Sequence, residues 1–221
     1  MATSLAIVRL LLFLPAMALA GCSIGLPERT APRTYVLNPE ILVKRLSANA
    51  GPRDSATLLV TQPRAQPGYD TPRMAYLLRS HEVSYYALNQ WADTPGRMLM
   101  RLLAQAMERT DLWRAVVQGT GAVRADYRLD CDGLALEQQF LSNPSRVRLA
   151  LRAQLIDIQQ QSVMDANDFE IFEVAPTGDA YGGVIAANRA AARLLEEIAR
   201  WVTTVMSEGG TTHRVIGAKG G

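Results

Sequence analysis

The residue with the most specific chemistry in this sequence is Cys22. Leu19-Ala20-Gly21-Cys22 matches the lipobox read by lipoprotein signal peptidase. The small residues Ala20 and Gly21 let an extended chain enter the peptidase site, and the thiol of Cys22 is the nucleophile that accepts a diacylglyceryl group. Upstream, a single charge at Arg9 precedes an apolar run from Leu10 to Leu19, which is the order of charge, apolar core and small residues in a secretory leader. The run is short for a bilayer span, which takes roughly 20 residues. A chance cysteine after an ordinary leader is the weaker reading, because the chain has two cysteines and this one holds the useful position. Covalent lipid on Cys22 is the only expected prosthetic group. Each buried CH₂ contributes about 0.8 kcal/mol, and one acyl chain binds reversibly whereas two or three hold permanently. Ser23 follows the cysteine, not the Asp that commonly retains lipoproteins in the inner membrane. The expected location is therefore the periplasmic face of the outer membrane, lipid-anchored.

Other chemistry-bearing patterns fail on inspection. Gly21-Cys22-Ser23-Ile24-Gly25 has the spacing of a serine nucleophile elbow, but it sits at the cleavage junction and cleavage removes Gly21. Gly119-Thr120-Gly121 has Arg124 where a dinucleotide loop needs its third glycine. Asp130-Cys131-Asp132-Gly133 resembles part of a calcium loop, yet Arg128 and Gln139 occupy two essential ligand positions. The two histidines, His81 and His213, have no neighbour at metal-ligand spacing. No catalytic residue, metal ligand or cofactor site is nominated. Two readings stay open for the aromatic residues Tyr85, Tyr86, Trp91 and Trp113: core and sheet packing, or a partner- or lipid-contact patch, since Trp and Tyr are favoured in interfaces. Adjacent Tyr85 and Tyr86 point to opposite faces of a strand, so at most one is core.

The elements that would position these residues follow from periodicity. Residues 1–21 form the leader, and 22–33 the lipidated cysteine and a Pro/Gly-containing tether. At 3.3–3.6 Å per residue the tether reaches at most roughly 40 Å. Residues 34–206 form one domain. Short strands are predicted at Thr34–Leu37, Ala56–Val60, Met74–Leu78 and Val83–Ala87, the last two joined by the turn Arg79-Ser80-His81-Glu82. Thr94 and Pro95 open a helix, Thr capping its free amides, with Met98, Leu99, Leu102, Leu103 and Met107 on one face to about Thr110. Leu112–Val117 returns to strand. From Val123 to Asp132 every odd position is apolar or small and every even one is charged, the signature of a strand with one wet face; Gly133 then marks a bulge. Val147–Leu155 is its antiparallel partner, and Phe169–Val174 a further strand. A long amphipathic helix starts at Asp179 or Gly182 and runs to Met206; Gly209-Gly210 ends it, and 207–221 is expected to be a disordered tail. The fold class expected is α+β: a two-layer sandwich with a mostly antiparallel sheet and two amphipathic helices on one face.

Charge excludes one class of partner. The chain carries 23 Lys+Arg against 21 Asp+Glu, and losing Arg9 with the leader brings it closer to neutral, so nothing points to nucleic acid. With Cys22 acylated, Cys131 has no partner for a disulfide.

In order, the lipobox, Thr34-Tyr35-Val36-Leu37, Leu58-Leu59-Val60-Thr61-Gln62-Pro63, Met74-Ala75-Tyr76, Val83-Ser84-Tyr85-Tyr86-Ala87, Gln90-Trp91-Ala92-Asp93-Thr94-Pro95 and Leu112-Trp113-Arg114-Ala115-Val116 resemble the ABC-type transport auxiliary lipoprotein family, of which the PqiC-type lipoproteins are members. The resemblance runs from about residue 22 to 206 and is most specific over 83–117. It implies lipid traffic across the envelope: a non-enzymatic subunit at the outer membrane, docking the hydrophobic conduit of an MCE-domain protein that works with an inner-membrane ABC transporter. Self-assembly into a homo-oligomer is compatible with docking on a ring-shaped conduit. Two competitors are an assembly-factor lipoprotein for another outer-membrane, secretion or cell-wall machine, which neighbouring genes would reveal, and an enzyme, which would need a deep pocket of converging carboxylates or histidines.

Overall fold

A computed structural model describes residues 31–41, 43, 56–119 and 124–217, with side chains described to residue 208. Cys22, with the lipobox expected there, and most of the expected tether lie outside these residues. The described elements are, in chain order, β1 (Arg33–Tyr35), β2 (Thr57–Val60), β3 (Arg73–Arg79), β4 (Glu82–Trp91), α1 (Pro95–Glu108), β5 (Ala115–Gln118), β6 (Tyr127–Gln139), β7 (Arg146–Asp157), β8 (Ser162–Val174) and α2 (Ala180–Gly217).

The strongly alternating segment becomes β6, and the eight-stranded sheet is built on its two edges. Along one edge it pairs antiparallel with β7, from Tyr127↔Asp157 to Gln139↔Arg146, and β7 pairs antiparallel with β8. The register shifts between Asp132 and Ala135, where Gly133 takes φ +65°. This is the expected bulge, at a conformation that favours glycine. The other edge of β6 is shared. β2 lies parallel to its first third, Leu58↔Tyr127 to Val60↔Leu129, and β3 parallel to its end, Ala75↔Glu137 to Leu77↔Gln139. The connecting chain stays on the same edge, with Arg64 N donating to Cys131 O (3.0 Å) and Gln66 N to Leu134 O (2.9 Å). β5 extends the sheet parallel to β2, while β4 and then β1 extend it from β3.

The sheet is therefore mixed, which corrects the mostly antiparallel expectation: β1–β4, β2–β5, β2–β6 and β3–β6 are parallel. Antiparallel neighbours are joined by short turns that the sequence displays. Parallel neighbours need long crossovers whose landing edge is set by packing; here β3, β4, α1 and β5 intervene between β2 and β6. β8 is also seven residues longer at its start than expected. Ser162–Asp168 lacks apolar alternation, but its backbone pairs with β7 throughout.

Both helices contribute to one core with the inward residues of the sheet. α1 buries Met98, Leu99, Leu102, Leu103 and Met107, the stripe expected. Its start differs from expectation. Thr94 precedes the helix, but its side chain makes no cap hydrogen bond, and its buried hydroxyl has no partner. Instead Asp93 Oδ1 accepts from the Thr94 amide (2.7 Å), and Pro95 needs no acceptor at the first helical position. α2 is capped by Asp179, whose Oδ1 accepts from the Gly182 amide (2.8 Å). Its fully buried Leu194, Leu195 and Ile198 each contribute about 1.5–3 kcal/mol, the main force seating it on β7 and β8. Helical backbone continues through Gly209-Gly210 to Gly217, beyond the end expected at Met206. Extending an existing helix avoids the cost of nucleation, so two glycines at about 1 kcal/mol each need not stop it.

Candidate functional site

The four aromatic residues do not form one patch. Trp91, at the end of β4, is in the core. Tyr86 is half-buried on the helix side, stacked against Tyr76 (4.8 Å between centroids), with its hydroxyl donating to Gln138 Oε1 (3.0 Å). Burial, reinforced by Asp179 and Tyr76, pushes the Tyr86 phenol up to about 12. Gln138 in turn donates to Ser145 Oγ (3.0 Å), so this core polar cluster is internally satisfied. Tyr85 lies on the opposite face of β4, where its hydroxyl donates to Gly68 O (2.7 Å) and the Arg73 guanidinium stacks on its ring (4.0 Å). Trp113 packs on Tyr127 (5.6 Å). Tyr127 and Gln138 sit near opposite ends of β6, roughly 35 Å apart at ~3.3 Å per residue. That distance separates Trp113 from Tyr86.

The face of the sheet away from the helices carries the charge. β7 supplies arginines, and its neighbours supply acids. Arg152 Nη1 meets Asp168 Oδ2 at 3.0 Å, and Arg148 meets Glu170 at 2.6 Å and Glu137 at 3.7 Å. Arg146 Nε donates to Gln139 Oε1 (3.3 Å) and covers the Phe172 ring (4.2 Å). Most of these pairs are exposed and worth 0–1 kcal/mol each. Their larger effect is on register, since a one-residue slip of β7 would drive its arginines into the core.

Glu137 is the exception, with a side chain only 3% exposed. It accepts hydrogen bonds from Tyr69 Oη and from Gln139 Nε2 (2.8 Å). Burial, then the bond to Glu137, pushes the Tyr69 phenol far above its usual value, so it remains a hydrogen-bond donor at any physiological pH. The segment bearing Tyr69 is held across this face by Gln66 Nε2 donating to Gly133 O (2.9 Å) and by the Tyr85 bond to Gly68. Arg148, Arg152, Asp132, Asp168 and Glu170 line a shallow trough on this face. Its charges are mutually neutralised, so it suits contact with a polar surface. Sequence reading missed Tyr69 and Glu137. The available signal was Glu137-Gln138-Gln139, three consecutive polar residues directly after the apolar Leu134-Ala135-Leu136, which called for something to cover them.

Cys131 faces the core, and burial with Asp130 and Asp132 alongside pushes its thiol up to about 12. Among the described residues no group of three His, Cys, Asp or Glu is arranged to hold a metal, and no helix is long and apolar enough to cross a membrane.

The fold has solved counterparts. A crystal structure of a Xanthomonas campestris protein matches with TM-score 0.68 and 20% identity, covering 80% of this chain and 99% of that one. A second crystal structure, of an uncharacterized protein, gives TM-score 0.59 at 14% identity, over 78% and 99% of the two chains. A hypothetical protein from Chlamydia trachomatis gives 0.52 at 7% identity, over 69% and 98%. At these identities the likeness is one of fold. No curated protein matches the sequence. The family model described as ABC-type transport auxiliary lipoprotein component matches residues 35–199, from the last residue of β1 into the second half of α2. The chain therefore belongs to the family of ABC-type transport auxiliary lipoprotein components.

Proposed function

We propose that this protein is a non-enzymatic subunit of an MCE-type lipid transport system, anchored by lipid on Cys22 to the periplasmic face of the outer membrane, where it docks the conduit protein. The observation that carries this reading is family membership from the last residue of β1 through the rest of the sheet, all of α1 and about half of α2, joined to a lipobox pattern eleven residues before β1. The mechanism is positional. The anchor holds a rigid sheet beside one bilayer, and a surface of that sheet recruits a partner that crosses the periplasm. Two features support recruitment. The charged face offers paired, solvated side chains for polar contact, and the outer edge of the thirteen-residue β8 pairs with no strand among the described residues. A free edge of this length offers backbone hydrogen bonds to a conduit protein or to a second copy.

Affinity capture of the membrane-anchored protein, from cells expressing an MCE-domain protein, tests the reading. Recovery of that protein is expected, with Cys22→Ser releasing the bait from the membrane fraction. Repeated capture without any MCE-domain protein would sink the docking role.

A further inference from the structure

The described sheet has two unlike poles. At one, the β3–β4 turn, the 140–145 loop and the end of β8 meet, and exposed apolar side chains gather: Leu78, Val83, Leu141 and Val174, between 37% and 58% exposed. Pairing places them in one rim. Val83 faces Leu77, Leu77 faces Gln139, Gln139 faces Arg146, and Arg146 faces Val174; Phe140 N donates to Leu77 O (2.8 Å), which sets Leu141 beside the turn. Arg79 stands at the tip, its side chain largely exposed and 3.9 Å from its one acidic neighbour, Glu82. The opposite pole ends in the polar turn Gln159-Gln160-Gln161, where Val163 is the single large exposed apolar side chain among the described residues.

The chain's own direction distinguishes the poles. β1 runs parallel to β4, with Arg33 beside Asn89, and β4 runs away from the apolar tip. The backbone upstream of Arg33 therefore starts out toward that tip. Gln90 pairs with Arg73, which is five residues of β3 from Leu78, or roughly 17 Å at ~3.3 Å per residue. The eleven residues from Cys22 to Arg33 reach about 36–40 Å when extended, ample for this pole. The other pole lies the opposite way: the level of Arg33 corresponds to about Leu136, whose partner Leu149 is eight residues of β7 from Asp157 beside Tyr127, or roughly 26 Å. Reaching it requires the chain first to reverse direction.

We infer that the pole formed by the β3–β4 turn and the 140–145 loop rests on the lipid surface of the bilayer that holds Cys22, with Leu78, Val83 and Leu141 entering the headgroup layer and Arg79 meeting lipid phosphate. The inference rests on the acylation of Cys22 proposed above. Apolar contact at the interface adds to the acyl chains and fixes the orientation of the domain, which a flexible tether alone leaves free. The polar turn at Gln159–Gln161 then points into the periplasm.

The test uses the full chain expressed with its leader, purified from membranes and reconstituted in phosphatidylethanolamine–phosphatidylglycerol vesicles. Leu78→Cys, Leu141→Cys and Gln160→Cys variants are labelled with an environment-sensitive fluorophore; Cys131, 2% exposed, stays unlabelled in the folded protein. Lipids bearing a nitroxide high on the acyl chain should quench the labels at 78 and 141 at least about twofold, as expected for side chains 5–10 Å into the interface, and leave the label at 160 unchanged. Equal, weak quenching at all three positions on protein that floats with the vesicles overturns the inference while leaving the anchor intact. Disulfide-linked dimers of Leu78→Cys with an unquenched label at 141 would assign the rim to a second copy and overturn it as well. Protein that neither floats nor carries acyl mass on Cys22 overturns the anchoring and this orientation together.

Discussion

Removing Arg148 should destabilise the domain more than neutralising its better-solvated partner, Glu170. Its guanidinium lies 2.6 Å from Glu170 and 3.7 Å from Glu137, whose side chains are 51% and 3% exposed. Arg148→Ala strands the Glu137 carboxylate with only Tyr69 and Gln139 as donors. Breaking a fully buried pair costs about 3–5 kcal/mol. Arg148 is a quarter exposed and Glu137 keeps two hydrogen bonds, so about 2–3 kcal/mol is the consistent figure. Glu170→Gln removes the charge from the shorter contact, but at a half-exposed site worth under about 1 kcal/mol. Proximity alone would assign most of the loss to the Glu170 contact and make the two variants similar, whereas burial predicts the larger loss for Arg148→Ala, and burial should win. Urea unfolding of residues 32–221, with a slope of about 2 kcal/mol/M, should show the midpoint falling by about 1–1.5 M for Arg148→Ala and by less than about 0.5 M for Glu170→Gln. Adding Glu137→Gln to Arg148→Ala should restore part of the loss, because the stranded charge is gone. Equal shifts for the two single variants, or no recovery in the double variant, would refute the reasoning.

Three further outcomes follow from the geometry. Thr94→Val should stabilise by about 1 kcal/mol in the same unfolding assay, because it replaces a buried, unpartnered hydroxyl with a methyl; a loss of that size would mean that Thr94 caps α1 after all. The Thr177 hydroxyl and then the Gly182 amide hold the Asp179 carboxyl below its usual range. Its contribution is thus complete above the unfolded value near ~3.9 and is lost as pH falls through the lower folded value. Asp179→Asn should keep the cap yet flatten the stability profile below about pH 4, and a profile parallel to the parent would contradict the assignment. The Cys131 thiol, raised by burial to about 12, should resist a maleimide at pH 8 in the folded protein and react on unfolding; labelling of the folded form at the rate of a free thiol would show that this part of the core opens.

Most of the elements were legible along the chain. The alternation through Cys131, the bulge at Gly133 and the stripe from Met98 to Met107 each express a local periodicity, and local periodicity survives without knowledge of neighbours. Ser162–Asp168 was illegible because an edge strand held by backbone pairing requires no apolar pattern. Thr94 was misleading for a related reason: a cap depends on where its hydroxyl points once the start of α1, at Gly96, packs against the backbone of Pro63.

For the candidate sites, the sequence by itself determined the Leu19-Ala20-Gly21-Cys22 pattern, the balance of charge and the apolar faces of the helices, since all three reside in residue types at fixed spacing. Only the tertiary structure decided that β2 and β3 share one edge of β6, that Tyr69 covers Glu137, that Trp113 lies far from Tyr86, and that four exposed apolar residues gather at one pole. These are relations between segments dozens of residues apart. They are set by which edges and faces meet when the core closes, and no short window of sequence contains both members of such a pair.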